Sequence, residues 1–205
     1  RYSSNHFKWE NNFLASEQTN AGIAFEMIKY SFKIAANYAN YKNICYFDNY
    51  AIARQYTGNV SVISADLKKD FTLFNWHLDN SFMYQNVPDS TVIRLPAIIL
   101  EHSLYYENDV FKKAMILQIG ASLSYHSAYY ANAYMPATGQ FYLQSQTKYG
   151  DYPFIDFFIN AHVKTLRITF QVDHLNAGLS GSKYMSTPHY QMNGRAFKLG
   201  ISWRF

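Results

Sequence analysis

Apolar and polar positions alternate with a period of two along most of the chain. At its end Phe197, Leu199, Ile201, Trp203 and Phe205 alternate with Ala196, Lys198, Gly200, Ser202 and Arg204. Successive side chains of a strand point to opposite faces, so this segment predicts a strand with one apolar and one polar face. Leu166, Ile168, Phe170 and Val172 oppose Arg167, Thr169, Gln171 and Asp173 in the same way. Ile155, Phe157, Ile159, Ala161 and Val163 oppose Asp156, Asn160 and His162, with Phe154 and Phe158 as apolar exceptions on the polar side. Met115 to Leu123 repeats the pattern with Ile116 as the exception, and Ile98, Leu100 and Leu104 oppose Glu101, Ser103 and Glu107, with His102 breaking the apolar row. Phe74 to Phe82, Ile63 to Lys68, Ser31 to Tyr38, Ile23 to Met27 and Phe7 to Phe13 supply further segments. About ten strands result, several near the roughly 9–11 residues of a tilted transmembrane strand and longer than the roughly 5–6 of soluble ones. Helical periodicity fits none of them.

The links between these segments alternate in length. Short ones are predicted near Lys29, Asp70–Thr72, Asn108–Lys112 and Lys164–Thr165, and long ones over Asn43–Gly58, Gln85–Leu95, Ala128–Tyr152 and Asn176–Asn193. Short turns at one end and long loops at the other are the asymmetry of an outer-membrane barrel. With Phe205 at the periplasmic end, every long link falls on the extracellular side, and only the short Leu14–Thr19 link departs from the rule. The expectation is an all-β fold, an antiparallel transmembrane β-barrel located in the cell outer membrane. Residues 1–205 would be a single barrel domain or the C-terminal fragment of one. A soluble sandwich or lipocalin-like barrel shares the alternation. Strand length and loop asymmetry favour the membrane.

Composition strengthens that choice. The chain is 49% hydrophobic and 19% aromatic, with 19 Tyr, 16 Phe and 3 Trp, yet only 16% charged, against about 25% in ordinary soluble domains. Aromatic residues of a barrel collect in girdles at the two interfaces. No run approaches the ~18 apolar residues of a spanning helix. The net charge of +4 is scattered along the chain, which argues against a nucleic-acid partner. Cys45 is the single cysteine, so no internal disulfide can form, and a buried or rim-packed thiol is expected there. The long links carry Tyr46, Tyr50, Tyr129, Tyr130, Tyr134, Tyr142, Tyr149, Tyr184 and Tyr190. Such residues suit loops packed on themselves, or a contact surface for other outer-membrane proteins or glycans.

Catalytic and metal signatures are missing: there is no glycine-rich phosphate loop, no H-E-x-x-H and no G-x-S-x-G, and no cofactor is expected. The polar face instead gathers Lys33, Asp66, Lys68, Asp79, Glu101, Asp156, Arg167, Asp173, Lys198 and Arg204, expected to line a pore or to fill a narrow barrel with a charge network. A third possibility is an omptin-like protease using His126, Asp173, His174 or His189. Asp173 and His174 are adjacent, however, and in one strand they would point to opposite faces. The chain is therefore read as not an enzyme.

The terminal strand ending in Trp203 and Phe205 resembles the C-terminal strand by which the barrel assembly machinery recognises outer-membrane barrels. The phrase G-R-A-F-K-L-G-I-S-W-R-F, with the Tyr- and Asn-rich loops, is similar to the C-terminal region of the putative porins of Bacteroidota. That resemblance implies a Gram-negative outer-membrane protein embedded in lipid and lipopolysaccharide, passing small hydrophilic solutes by passive diffusion, and belonging to longer chains than this one. The alternative from another class is a non-conducting barrel, a scaffold or interaction subunit of an outer-membrane complex.

Overall fold

The computed structural model describes residues 2–3, 8–179 and 184–204. Nine strands form one antiparallel sheet: β1 (Glu17–Met27), β2 (Phe32–Phe47), β3 (Ala53–Leu73), β4 (Trp76–Asn86), β5 (Ile98–Val110), β6 (Met115–His126), β7 (Phe154–Val163), β8 (Leu166–Asp173) and β9 (Ala196–Trp203). Each strand pairs with its neighbours in sequence, so the chain runs up and down without a crossover. The outer edges of β1 and β9 are unpaired among the described residues.

Register carries the alternation of each strand across the whole sheet. One lateral row runs Phe71, Leu78, Leu104, Ala121, Phe157, Val172, Phe197, and the next Leu73, Trp76, Tyr106, Ile119, Ile159, Phe170, Leu199. Among the described residues most of this apolar face is uncovered, Val172 being a buried exception: Ile23 is 75% exposed, Phe197 72% and Leu199 71%. A soluble sandwich would bury such residues against a second layer, whereas a barrel turns them to lipid. Most of the buried apolar residues, Ala51, Val92, Ala131, Ala133, Leu143 and Tyr152 among them, lie in the long links at one end. The core is a loop cap on an uncovered sheet.

The rows are oblique to the line of turns. Met27, beside the first short turn, is in register through Phe32, Lys69 and Asn80 with His102 of β5, which lies two turns of backbone pleat and more above the strand's end at Val110. That stagger is the shear that tilts strands in a barrel wall.

Several boundaries differ from the expectation. The Phe7–Phe13 segment does not join the sheet: Lys8–Trp9 pairs only with Tyr2–Ser3, and Phe7 lies outside the described residues. Its Glu10, Asn11 and Asn12 are poor strand formers. The expected Asn43–Gly58 link is mostly strand, because β2 and β3 continue past a bulge at Asn43 to a tip at Asp48–Ile52. Asn43 takes the left-handed conformation (φ 55°), is buried, and is held by Ser16 Oγ and Gln55 Nε2, which donate to its carbonyl at 2.7 and 2.9 Å. Cys45 consequently sits exposed in a strand, not buried at a rim. The second short turn falls at Phe74–Asn75, not Asp70–Thr72, and the third after Val110. Polar residues at 68–70 and 108–109 imitate turns but remain in the ladder, Lys68, Asp70 and Asp109 on the polar face and Lys69 and Asn108 on the other.

Candidate functional site: the polar face of the sheet

The face opposite the apolar one brings together residues from distant parts of the chain. Glu26, Lys33, Lys68, Ser81, Glu101, Ser124 and Phe154 form one row. Glu26 and Lys33 make an ion pair at 4.0 Å. Asp70, Asp79, Ser103, Ser122 and Asp156 form the next. Asp66 lies on the same face and accepts from Asn37 Nδ2 at 3.3 Å. Arg167 is opposite His162 and Ser202, and Lys198 pairs with Asp173 across β8 and β9. Nine of the ten residues expected on the polar face thus share it. Arg204 follows the last residue of β9, its backbone N–H donating to the Thr165 carbonyl at 3.2 Å. Trp203 lies on the apolar face with its indole N–H donating to Thr165 Oγ1 at 3.2 Å, and Phe205 is outside the described residues.

Toward the loop cap a cavity of about 470 Å³ opens between Phe154 and Asp156 of β7, Asp173 and the segment around Met192. His174 closes β8 in a left-handed conformation (φ 51°) and is buried. Its backbone N–H donates to Asp156 Oδ1 at 2.7 Å; Nδ1 lies 3.1 Å from the Asn193 carbonyl and Nε2 2.8 Å from the Tyr152 hydroxyl. Nδ1–H is then the donor to the Asn193 carbonyl, while the Tyr152 hydroxyl at Nε2 also donates to the Asn176 carbonyl at 3.3 Å. Asp173 and His174 border one cavity after all, because the strand ends between them and alternation no longer applies. With both ring nitrogens committed, His174 is an anchor for the loop.

Two further arrangements escaped the sequence. His77, Tyr105, Gly120 and Phe158 fall in one row of the polar face. One register step away, Gln118 Nε2 donates to Glu107 Oε2 at 2.6 Å and Asn160 Nδ2 donates to Gln118 Oε1 at 3.2 Å. The only signal in the chain was Phe158 as an apolar exception; which residues it would meet depended on register, which spacing alone does not give. Among the described residues no group of three His, Cys, Asp or Glu could hold a metal ion, and no helix is long and apolar enough to cross a membrane.

The loop cap ties the long links together. Leu143 N–H donates to the Phe47 carbonyl at 2.9 Å, Arg94 Nη1 donates to the Gln144 carbonyl, and Tyr134 packs edge-on against Tyr190 at 5.7 Å. Tyr152 and His174 both contact Tyr184. Several of the loop tyrosines are therefore spent on packing the loops against one another.

Known structures share this architecture. A mutant ferric enterobactin receptor of Pseudomonas aeruginosa superposes with a TM-score of 0.55 at 16% identity, over 93% of this chain and 31% of the receptor. A second mutant of that receptor, in complex with enterobactin, gives 0.54 at 16% identity, over 91% of this chain and 31% of the receptor. The chain spans about a third of their length, and at this identity the likeness concerns the fold. No curated protein matches. The sequence profile of one family, described as "Putative porin", matches residues 1–205 from end to end, and together with the exposed apolar face and the charged one behind it this makes the chain an outer-membrane barrel protein that belongs to the putative porin family.

Proposed function

We propose that this sheet is the wall of a channel through which small hydrophilic solutes diffuse passively across the outer membrane. The observation that carries the reading is the division of one nine-stranded sheet into an uncovered apolar face and a face bearing carboxylates, ammonium groups and amides. Lys33, Asp66, Lys68, Asp79, Glu101, Asp156, Arg167, Asp173 and Lys198 would line the water-filled side, with Arg204 at its periplasmic rim. Mixed signs support a pore without a strong preference for anions or cations. Nothing in this mechanism requires covalent chemistry or a cofactor. In hydrocarbon an unpaired strand edge is costly, so in a closed barrel the outer edges of β1 and β9 would both be paired.

The test is conductance of the full-length protein in planar bilayers. Stable ohmic steps are expected, and a purified, folded protein that never conducts would overturn the reading in favour of a scaffold barrel. With Cys45 replaced by Ser, single cysteines at Ser103 or Ser122 should let a membrane-impermeant thiol reagent reduce the current, whereas cysteines at Leu104 or Ala121 should not.

A further inference from the structure

A wall that only passes water and ions has no need of aromatic rings, yet three lie side by side on the polar face. His77 and Tyr105 stack with centroids 4.8 Å apart and 6° between their planes. Tyr105 and Phe158 follow at 6.3 Å. Their strands are not adjacent, and the residue between them in the row is Gly120. A Cβ there would lie 2.4 Å from Tyr105 Cβ and 2.6 Å from the Leu104 carbonyl oxygen, so any other residue would push the rings apart. The Asp79 carboxylate lies beside the tyrosine at one edge of the platform. Beside this platform runs the ladder of Glu107, Gln118 and Asn160, bordering a cavity of about 350 Å³ that Arg167 and Thr169 also line.

We infer that platform and ladder form a subsite for a neutral hydroxylated ring, a pyranose sugar. Such a ring has two kinds of surface. Its axial C–H bonds make an apolar face that lies flat on an aromatic ring, and its rim carries hydroxyls that both donate and accept. The aromatic row offers the first contact. The second falls to Glu107, which accepts, and to the Gln118 and Asn160 amides, which do both. A free anion is disfavoured, because the Asp79 and Glu107 carboxylates flank the platform. A bare cation would make no use of the aromatic row's flat apolar face or of the amide N–H donors. Spaced along one row, the rings would let a linear oligosaccharide move from one to the next without losing contact.

The inference rests on the polar face being the lumen, and the experiment separates the two. Current through the full-length protein is recorded while glucose and its linear oligomers are added. Reversible, concentration-dependent interruptions are expected, stronger for longer oligomers and absent with polyethylene glycol of matching size. Phe158→Ala should weaken the sugar's affinity about tenfold, while Phe158→Tyr, which keeps a ring, should retain it. The heat-dependent electrophoretic shift of a folded barrel checks both variants. No sugar effect, or an equal effect in wild type and Phe158→Ala, would overturn the subsite while leaving the channel intact. If the protein does not conduct, the channel reading falls, and calorimetric titration of the same sugars into detergent-solubilised wild type and Phe158→Ala still decides the subsite.

Discussion

Single residues decide where strands stop and loops are pinned. His174 takes a left-handed backbone conformation and donates or accepts at three points, against Asp156, Tyr152 and Asn193. Replacing it with Ala removes one partner of the Tyr152 hydroxyl, which keeps the Asn176 carbonyl at 3.3 Å, and the tie to the Asn193 carbonyl, at a cost of about 1 kcal/mol. The expected result is faster amide exchange at 184–194 with the strand amides of β7 and β8 unchanged; uniform protection would show that the anchor is dispensable. Asp48 plays a similar part at the tip of the β2–β3 hairpin. Partial burial raises its pKa, but the N–H groups of Ile52 and Tyr50, both at 3.0 Å, and Arg54 Nε at 3.1 Å outweigh it and hold the carboxyl below its ordinary value. A depressed folded pKa means that the stabilisation is present above the ordinary carboxylate pKa of about 3.9 and is lost as the pH falls through the lower, folded value. Exchange at 48–54 should therefore accelerate below about pH 4. Asp48→Asn should flatten that dependence.

At the scale of elements, a strand's two faces answer to different solvents. Leu104 and Ser103 are neighbours in β5 on opposite faces. Leu104→Arg should cost about 2–4 kcal/mol in reversible unfolding from vesicles, as a cation on the lipid side of a barrel does, and Ser103→Arg much less. Equal costs would mean that the apolar face does not meet lipid. The outward Asn80 and His102 are the departure from this rule. Midway between Trp76 and Tyr84, Asn80 accepts from His102 Nδ1 at 2.8 Å and donates to the Lys69 and Leu78 carbonyls at 2.9 and 3.2 Å. Removing both at once by Asn80→Leu with His102→Leu should be neutral or stabilising, because each satisfies the other and neither is left buried alone. This is also where the chain's legibility divides. Period-two alternation identified all nine strands of the sheet and put nine of the ten expected charges on one face, while Asp70 and Asp109 passed for turn residues. It failed at β2 and β3 beyond Asn43, where the two strands pair only with each other past the ends of β1 and β4. It could not pair His77 with Tyr105 and Phe158, because register is a relation between strands.

For the whole molecule, stability is concentrated in two unlike places: the hydrogen-bonded ladder, and the cap where Phe47, Leu143, Gln144 and Arg94 interlock. Arg94→Ala should loosen the cap and leave strand protection intact, a separation that exchange measurements on the reconstituted protein would resolve.

The oblique rows have a geometric outcome. Side chains in register climb along the wall as they pass from strand to strand, and the polar row runs from Glu26 beside the first turn to Glu101, far from the strand's end at Val110. In the proposed channel a solute that kept to one such row would not go straight through. It would rotate about the long axis as it advanced, so handedness, and not only size, would influence which chains of linked rings travel easily.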